Sequence, residues 1–135
     1  MQAGYSTNPL FKKLGLKEGF HVLFIHSPEN YGDMIGEMMD KLIVKQKRSN
    51  DLNFIHLFTN SQKEFEGLLP VLKLQIKKDG IIWVSWYKKS SGKKTELREN
   101  MIRDTAIAIG LVDVKVCAID DDWSALKLVY RIKDR

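Results

Sequence analysis

The chain has 135 residues, 44% hydrophobic and 29% charged, with 22 Lys and Arg against 17 Asp and Glu for a net charge of +5. This length predicts one domain that buries a single core without staples. No run of about 18 apolar residues is available for a membrane span, and Met1 to Ser6 lack the charged and apolar regions expected of a secretory signal. The single cysteine, Cys117, leaves no internal disulfide, which fits a reducing cytoplasm. Its place in the alternation Val114-Val116-Ala118 reads as a buried, inert thiol. The positive charge is compatible with an anionic partner but lacks the concentration that nucleic-acid binding needs.

Asn8-Pro9 is a helix start, with Asn8 as N-cap and Pro9 at the first helical position, and Gly15 is a stop, so a short helix is predicted over 9–14. Residues 20–26, apolar and flanked by Gly and Pro, read as a buried parallel strand. Tyr31, Met34, Ile35, Met38, Met39 and Leu42 recur at helical spacing, predicting an amphipathic helix over 31–42 whose methionines pack on a sheet. Ile43 to Lys47 reads as a short edge strand before a polar turn.

The next strand is 53–58. Ser61 and Glu64 form a capping box for a helix with Phe65, Leu68, Leu69, Leu72 and Ile76 on one face. Pro70 predicts a kink or split of that helix at 69. Asp79-Gly80 reads as a tight turn before a strand over 81–86. Thr95 is the predicted cap of a helix with acidic Glu96 and Glu99 in its first turn, Leu97, Met101, Thr105 and Ala108 inward, and Gly110 at its end. Strands 111–119 and 124–132, joined by Asp120-Asp121-Asp122-Trp123, are close enough for an antiparallel hairpin. Helices between strands call for right-handed crossovers. The expectation is an α/β, three-layer, Rossmann-like sheet, mostly parallel with a C-terminal antiparallel hairpin.

Gly15-Leu16-Lys17-Glu18-Gly19-Phe20-His21-Val22-Leu23 resembles the lead-in to the first strand of Rossmann-like S-adenosylmethionine-dependent methyltransferases. Residues 51–58, and the helix through to Lys78-Asp79-Gly80-Ile81-Ile82-Trp83-Val84, resemble their middle strand, helix and turn before the fifth strand. The closing Gly110-Leu111-Val112-Asp113-Val114 and hairpin resemble their last two strands. The whole chain resembles more closely a family of small bacterial proteins of unknown function, through Gly4-Tyr5-Ser6, Trp83 to Lys89 and Gly110 to Cys117. These likenesses imply a truncated methyltransferase-like sheet, with the last strand antiparallel and inserted beside the 81–86 strand.

The cofactor signature of those enzymes is missing. They need glycine after the first strand so that the backbone can approach the cofactor. Here that turn is His26-Ser27-Pro28-Glu29-Asn30-Tyr31-Gly32, with proline in its middle. They also need an acid after the second strand, where 43–48 supplies Ile-Val-Lys-Gln-Lys-Arg. The chain leaves no room before Asp51 for another helix and strand.

Ligands of open α/β sheets bind beyond the carboxyl ends of the strands. That rule brings together Ser27 to Tyr31, Thr59 to Ser61 and Trp86 to Lys94. The candidate pocket is Ser27, Glu29, Tyr31, Asn60 and Trp86, with Thr59, Lys88 and Lys89 beside it, suited to a small anionic or nucleotide-like ligand. Lys88, Lys89, Lys93 and Lys94 are the candidate anion-binding run, next to Trp86 and Tyr87. A solvated loop is the simpler reading of that run, which lacks the upstream glycine of a P-loop. His21, His26 and His56 have no metal-ligand spacing, Asp120 to Asp122 no calcium-loop pattern, and no Gly-x-Ser-x-Gly elbow exists. No catalytic residue, cofactor or metal is assigned. The expectation is a cytoplasmic, non-catalytic binding or regulatory protein, acting as a homodimer or with a protein partner. The alternative is a divergent enzyme binding S-adenosylmethionine or an adenine nucleotide, and a third reading is nucleic-acid binding through Lys88 to Lys94.

Overall fold

The computed structural model describes residues 8–46 and 49–135. Six strands form one sheet in the order β2-β1-β3-β4-β6-β5. They are β1 (His21–Ile25), β2 (Ile43–Val44), β3 (Leu52–Phe58), β4 (Ile76–Tyr87), β5 (Leu111–Ala118) and β6 (Trp123–Tyr130). The first four are parallel, and β6 runs antiparallel to both β4 and β5. This is the Rossmann-like α/β sheet expected from the sequence, with the last strand beside β4.

Side chains alternate across the strands and divide the core into two layers. Ile55, Leu57, Ile82, Val84, Leu126 and Leu128 pack with α3 (Gln62–Gln75) and α4 (Glu99–Ala108). Val22, Phe54, Phe58 and Trp83 pack on the opposite face with α1 (Leu10–Leu14), α2 (Tyr31–Ile35) and the 3-10 segment Gly36–Lys41. Trp83 is completely buried, and its indole N–H donates to the Leu14 carbonyl at 2.8 Å, pinning α1 to the middle of the sheet. Gly15 then ends α1 in the left-handed conformation, φ 84°.

Several local expectations are corrected. The helix predicted over 31–42 stops at Ile35, because Gly36 takes φ 71° and ψ −146° and turns the chain into the 3-10 segment. Met34, Met38, Met39 and Leu42 still pack, half-buried, on the core. The edge strand is only Ile43–Val44, and its predicted end, Lys47, lies outside the described residues, as do Gly4-Tyr5-Ser6. Pro70 does not split α3, which runs unbroken from Gln62 to Gln75. The N–H that proline lacks would have served the Glu66 carbonyl, and both Glu66 and Pro70 lie on the exposed side of the helix.

Asp79-Gly80 is not a tight turn. β4 begins at Ile76, and its pairing with β3 slips from Leu52↔Ile76 to Phe54↔Ile81, so residues 77–80 arch over Asn53. A Cβ on Gly80 would sit 2.6 Å from Ile76 Cγ1 and 3.0 Å from the Asn53 carbonyl oxygen, which requires glycine there. Thr95 does not cap α4, which starts at Glu99 behind Arg98; its hydroxyl accepts from the Leu97 N–H in a local turn at 3.1 Å. Ile102 and Ala106 are the buried residues of α4, Met101 packs half-buried beside them, and Ala108 is exposed. Among the described residues no helix is long and apolar enough to cross a membrane.

Candidate ligand-binding cleft

The carboxyl ends of β1, β3 and β4 and the start of β6 surround an open cleft of about 860 Å³. One wall begins at His26, which leaves β1 with φ 57°, the one positive φ among the described non-glycine residues. Strained backbone of this kind persists only where surroundings fix it. Here His26 Nε2 lies 3.1 Å from Glu64 Oε2, and the Thr59 hydroxyl donates to the other oxygen of that carboxylate at 2.5 Å. The capping box is therefore only half formed. The Ser61 hydroxyl accepts from the Glu64 N–H at 3.1 Å, but the carboxylate turns away to His26 and Thr59. Thr59 replaces it as acceptor for the Ser61 N–H at 3.2 Å.

The other wall is aromatic. Phe58 is buried at the end of β3, and the Trp123 ring meets it edge-on with centroids 5.0 Å apart. Tyr87 lies 4.4 Å from Trp123. The hairpin turn sets this geometry: Asp120 Oδ1 accepts from the backbone N–H groups of Asp122 and Trp123, at 2.9 and 2.8 Å. Asn60 joins the two walls, its side-chain oxygen accepting from the Tyr87 N–H at 2.8 Å. Glu96 closes the mouth and accepts from the Gln62 N–H at the start of α3, 2.8 Å away. That helix start is thus already occupied by Glu96 and the Ser61 hydroxyl.

The predicted site residues are dispersed. Asn60 and Thr59 line the cleft, whereas Ser27 and Glu29 are exposed and outside its lining. Trp86 is buried on the α3 and α4 face and borders a second depression along the 89–99 segment. The lysine run is divided as well. Lys93 pairs with Asp122 at 2.9 Å and lies 5.3 Å over the Tyr87 ring, while Lys94 reaches the cleft. The Lys88 backbone N–H donates to the Asp122 carbonyl at 2.8 Å, and Lys89 is exposed in a 3-10 turn. His26, Glu64 and Trp123 escaped the sequence reading as site residues, whereas Tyr87, read beside the lysine run as a stacking ring, does line the cleft. Glu64 showed only as a cap, and Trp123 only as part of a polar turn.

Tyr31 turns into the core instead of the pocket. Its hydroxyl is 2.7 Å from His56 Nδ1, and His56 Nε2 is 2.7 Å from the Ser85 hydroxyl. Phe24 and Phe58 pack edge-on against the Tyr31 ring at 5.0 and 5.2 Å, and Phe58 stacks on His56 at 4.1 Å. His56 is fully buried, and loss of hydration pushes its pKa down to about 3. The ring is neutral at pH 7, so one nitrogen donates and the other accepts. Burial also raises the Tyr31 phenol, which stays protonated. Burial likewise raises the Cys117 thiol, as suits an inert residue.

No family model matches the chain, and no curated protein sequence does so significantly. Solved structures do match its fold. A protein from Sulfolobus solfataricus described as a type 11 methyltransferase superposes with a TM-score of 0.63 at 16% identity, covering 90% of this chain and 89% of that one. A SAM-dependent methyltransferase from Aquifex aeolicus gives 0.60 at 16% identity, over 88% and 86% of the chains. Aeropyrum pernix fibrillarin, solved with natively bound S-adenosyl-L-methionine, gives 0.59 at 14% identity, over 90% and 72%. The chain thus has the Rossmann-like fold of S-adenosylmethionine-dependent methyltransferases.

The residues after β1 do not fit that cofactor. Where the backbone should lie open, the Tyr31 side chain fills the space, only 2% exposed, and its N–H donates to the Pro28 carbonyl at 2.9 Å. The first glycine of the turn, Gly32, sits inside α2, and a Cβ there would meet nothing within 4 Å. It makes no close approach of the kind a cofactor cradle uses. After β2 come Lys45 and Gln46, with no acid for a ribose.

Proposed function

We propose that this chain is a non-catalytic binding or regulatory protein on a methyltransferase-like scaffold, and that it takes a planar, aromatic small molecule in the cleft between His26 and Trp123. The observation that carries this reading is the aromatic wall of Phe58, Trp123 and Tyr87 facing the polar edge of Asn60, Thr59 and Glu64. Apolar walls with a few fixed polar groups are the usual composition of small-molecule sites. The closed β1 turn weighs against the cofactor-binding mode of the fold. Calorimetric titration with S-adenosylmethionine and S-adenosylhomocysteine tests this, and no heat and no thermal shift are expected.

The same wall supports a second reading, in which an adenine ring stacks on Trp123 and Tyr87. Trp83 is 0% and Trp86 8% exposed, so Trp123 is the solvent-accessible tryptophan that reports on the cleft. Adenosine should quench its emission if the second reading holds, and Trp123→Phe should abolish the signal. Heat with S-adenosylmethionine that disappears in Asn60→Ala and Glu64→Gln would favour the divergent enzyme over the non-catalytic reading.

A further inference from the structure

Like charges set directly opposite each other on neighbouring strands are destabilising. β5 and β6 carry such a pair, because Lys115 lies opposite Lys127 in their antiparallel register. The row continues into Trp83 of β4, which also pairs with Lys127, so the lysines stand on the α1 face of the sheet. The Lys115 ammonium donates to the Lys13 carbonyl at 3.3 Å, which brings the last turn of α1 to the same spot. A bulge produces this arrangement. Alternation would place Asp113 beside Lys115, but the register shifts between them, and Asp113 turns to α4, where it pairs with Arg103 at 2.9 Å. The acid that would have neutralised the lysines is thereby moved to the other face.

A further cation comes from the C-terminal segment. After the 3-10 turn Ile132–Asp134 the chain folds back, and Arg135 Nε donates to the Tyr130 carbonyl at 3.0 Å. Burial lowers the pKa of half-buried Lys127, and the charges of Lys115 and Arg135 lower it further. The Cys117 thiol, buried on the same face, feels the charges of Lys13 and Lys115. The neighbouring acids do not offset this cluster. Asp134 pairs with Arg131 at 2.8 Å, Asp113 with Arg103, and Asp79 and the carboxylate of Arg135 make no ion pair. Among the described residues no acid pairs with Lys13, Lys115, Lys127 or Arg135.

We propose that Lys13, Lys115, Lys127 and Arg135 form a binding site for a soluble molecule that carries a diphosphate group. Repulsion among converging cations is unfavourable in the free protein, and a multiply charged anion reverses its sign. The lysines supply point charges, and the planar fork of Arg135 can take two phosphate oxygens at once. The cations converge from α1, the hairpin and the C-terminal segment on one spot, which suits a compact anion better than an extended strand of nucleic acid. Trp83, the ring in register with Lys127, is completely buried and offers no face for a base to stack on. Lys127 lies four residues along β6 from Trp123, and none of the four residues lines the aromatic cleft. The inference therefore stands independently of the ligand proposed there.

The test is calorimetric titration with sodium pyrophosphate at fixed ionic strength, with sulfate as the comparison anion and Tm measured in parallel. Pyrophosphate should bind about tenfold more tightly than sulfate, or better, and raise the Tm of the parent protein. Lys127→Met relieves the repulsion and removes one cation. That variant should melt about 2 °C or more above the parent without ligand, while its affinity for pyrophosphate falls about tenfold. Lys115→Gln, at an exposed position that leaves the fold intact, should weaken pyrophosphate in the same way. Lys63→Gln, exposed on α3 at the other face, should change neither quantity. No binding of pyrophosphate, equal binding of sulfate (an adventitious ion only), or unchanged affinity in Lys115→Gln would overturn the proposal. A lower Tm in both ligand-free variants would do so too, since the lysines would then support the fold. So would a single-stranded oligonucleotide or anionic vesicles held more tightly than pyrophosphate through the same lysines.

Discussion

Two regions at the same carboxyl edge of the sheet solve the problem of polar groups in opposite ways. Behind β1, Tyr31, His56 and Ser85 satisfy one another, and the rings of Phe24 and Phe58 close around them. At the ends of β1 and β3 themselves, His26, Glu64 and Thr59 also pair, but at a surface that stays open beside Trp123 and Tyr87. Phe58 belongs to both, stacked on His56 and edge-on to Trp123. A strand end becomes core when a neighbouring element supplies a large side chain with a matching polar tip, as Tyr31 does. It becomes a site when the neighbouring loop is short and held away, as the Asp120 turn holds Trp123.

The largest expected effect comes from breaking the closed region. His56→Ala removes a ring packed among Tyr31, Phe54 and Phe58 and leaves two hydroxyls without their partner. A loss of about 3–5 kcal/mol in urea unfolding is expected. A loss below about 1 kcal/mol would mean that the network does not hold the turn shut.

The pH dependence follows from the same ring. The native pKa, about 3, lies below the ordinary value of 6.5, so the unfolded chain binds a proton that the native one refuses. Stability from this group is full above the unfolded value and falls as pH drops toward 3, by about 2 kcal/mol between pH 7 and pH 5. Denaturation midpoints measured across that window would show a flat profile if His56 were hydrated.

Tyr31→Phe keeps the ring but strands one nitrogen of His56, and about 1–2 kcal/mol should be lost, with little change at the open cleft. Trp123 emission in that variant should match the parent. A shift would show that the two regions are coupled through Phe58. Smallest of all is Lys93→Ala, which removes an exposed ion pair with Asp122. No measurable change in Tm is expected, and an unchanged affinity for single-stranded DNA would count against the lysine run as a nucleic-acid site.

The chain's own pattern was enough for the order of helices and strands, because apolar period and turn residues are local properties. Residues 20–26, 53–58 and 81–86 read as buried strands for their mostly apolar runs, and the last two strands as a hairpin for the shortness of the connection between them. Gly36 and Gly80 were less legible. A glycine that ends a helix and a glycine that lets an arch pass over Asn53 look alike until the neighbouring strand is placed. The split expected at Pro70 is absent because Pro70 lies on the exposed side of α3, where the carbonyl it leaves unpaired is not buried.

The sequence by itself determined the α/β class, the mostly parallel sheet and the lack of a glycine cradle after β1, since each rests on residue type and spacing alone. Only the tertiary structure decided that Tyr31 belongs to the core, that Glu64 leaves its cap for His26, and that Trp123 forms a wall. Those outcomes depend on partners 25 and 38 residues apart in the chain for Tyr31–His56 and His26–Glu64. No local pattern encodes such distances, whereas packing in three dimensions sets them directly.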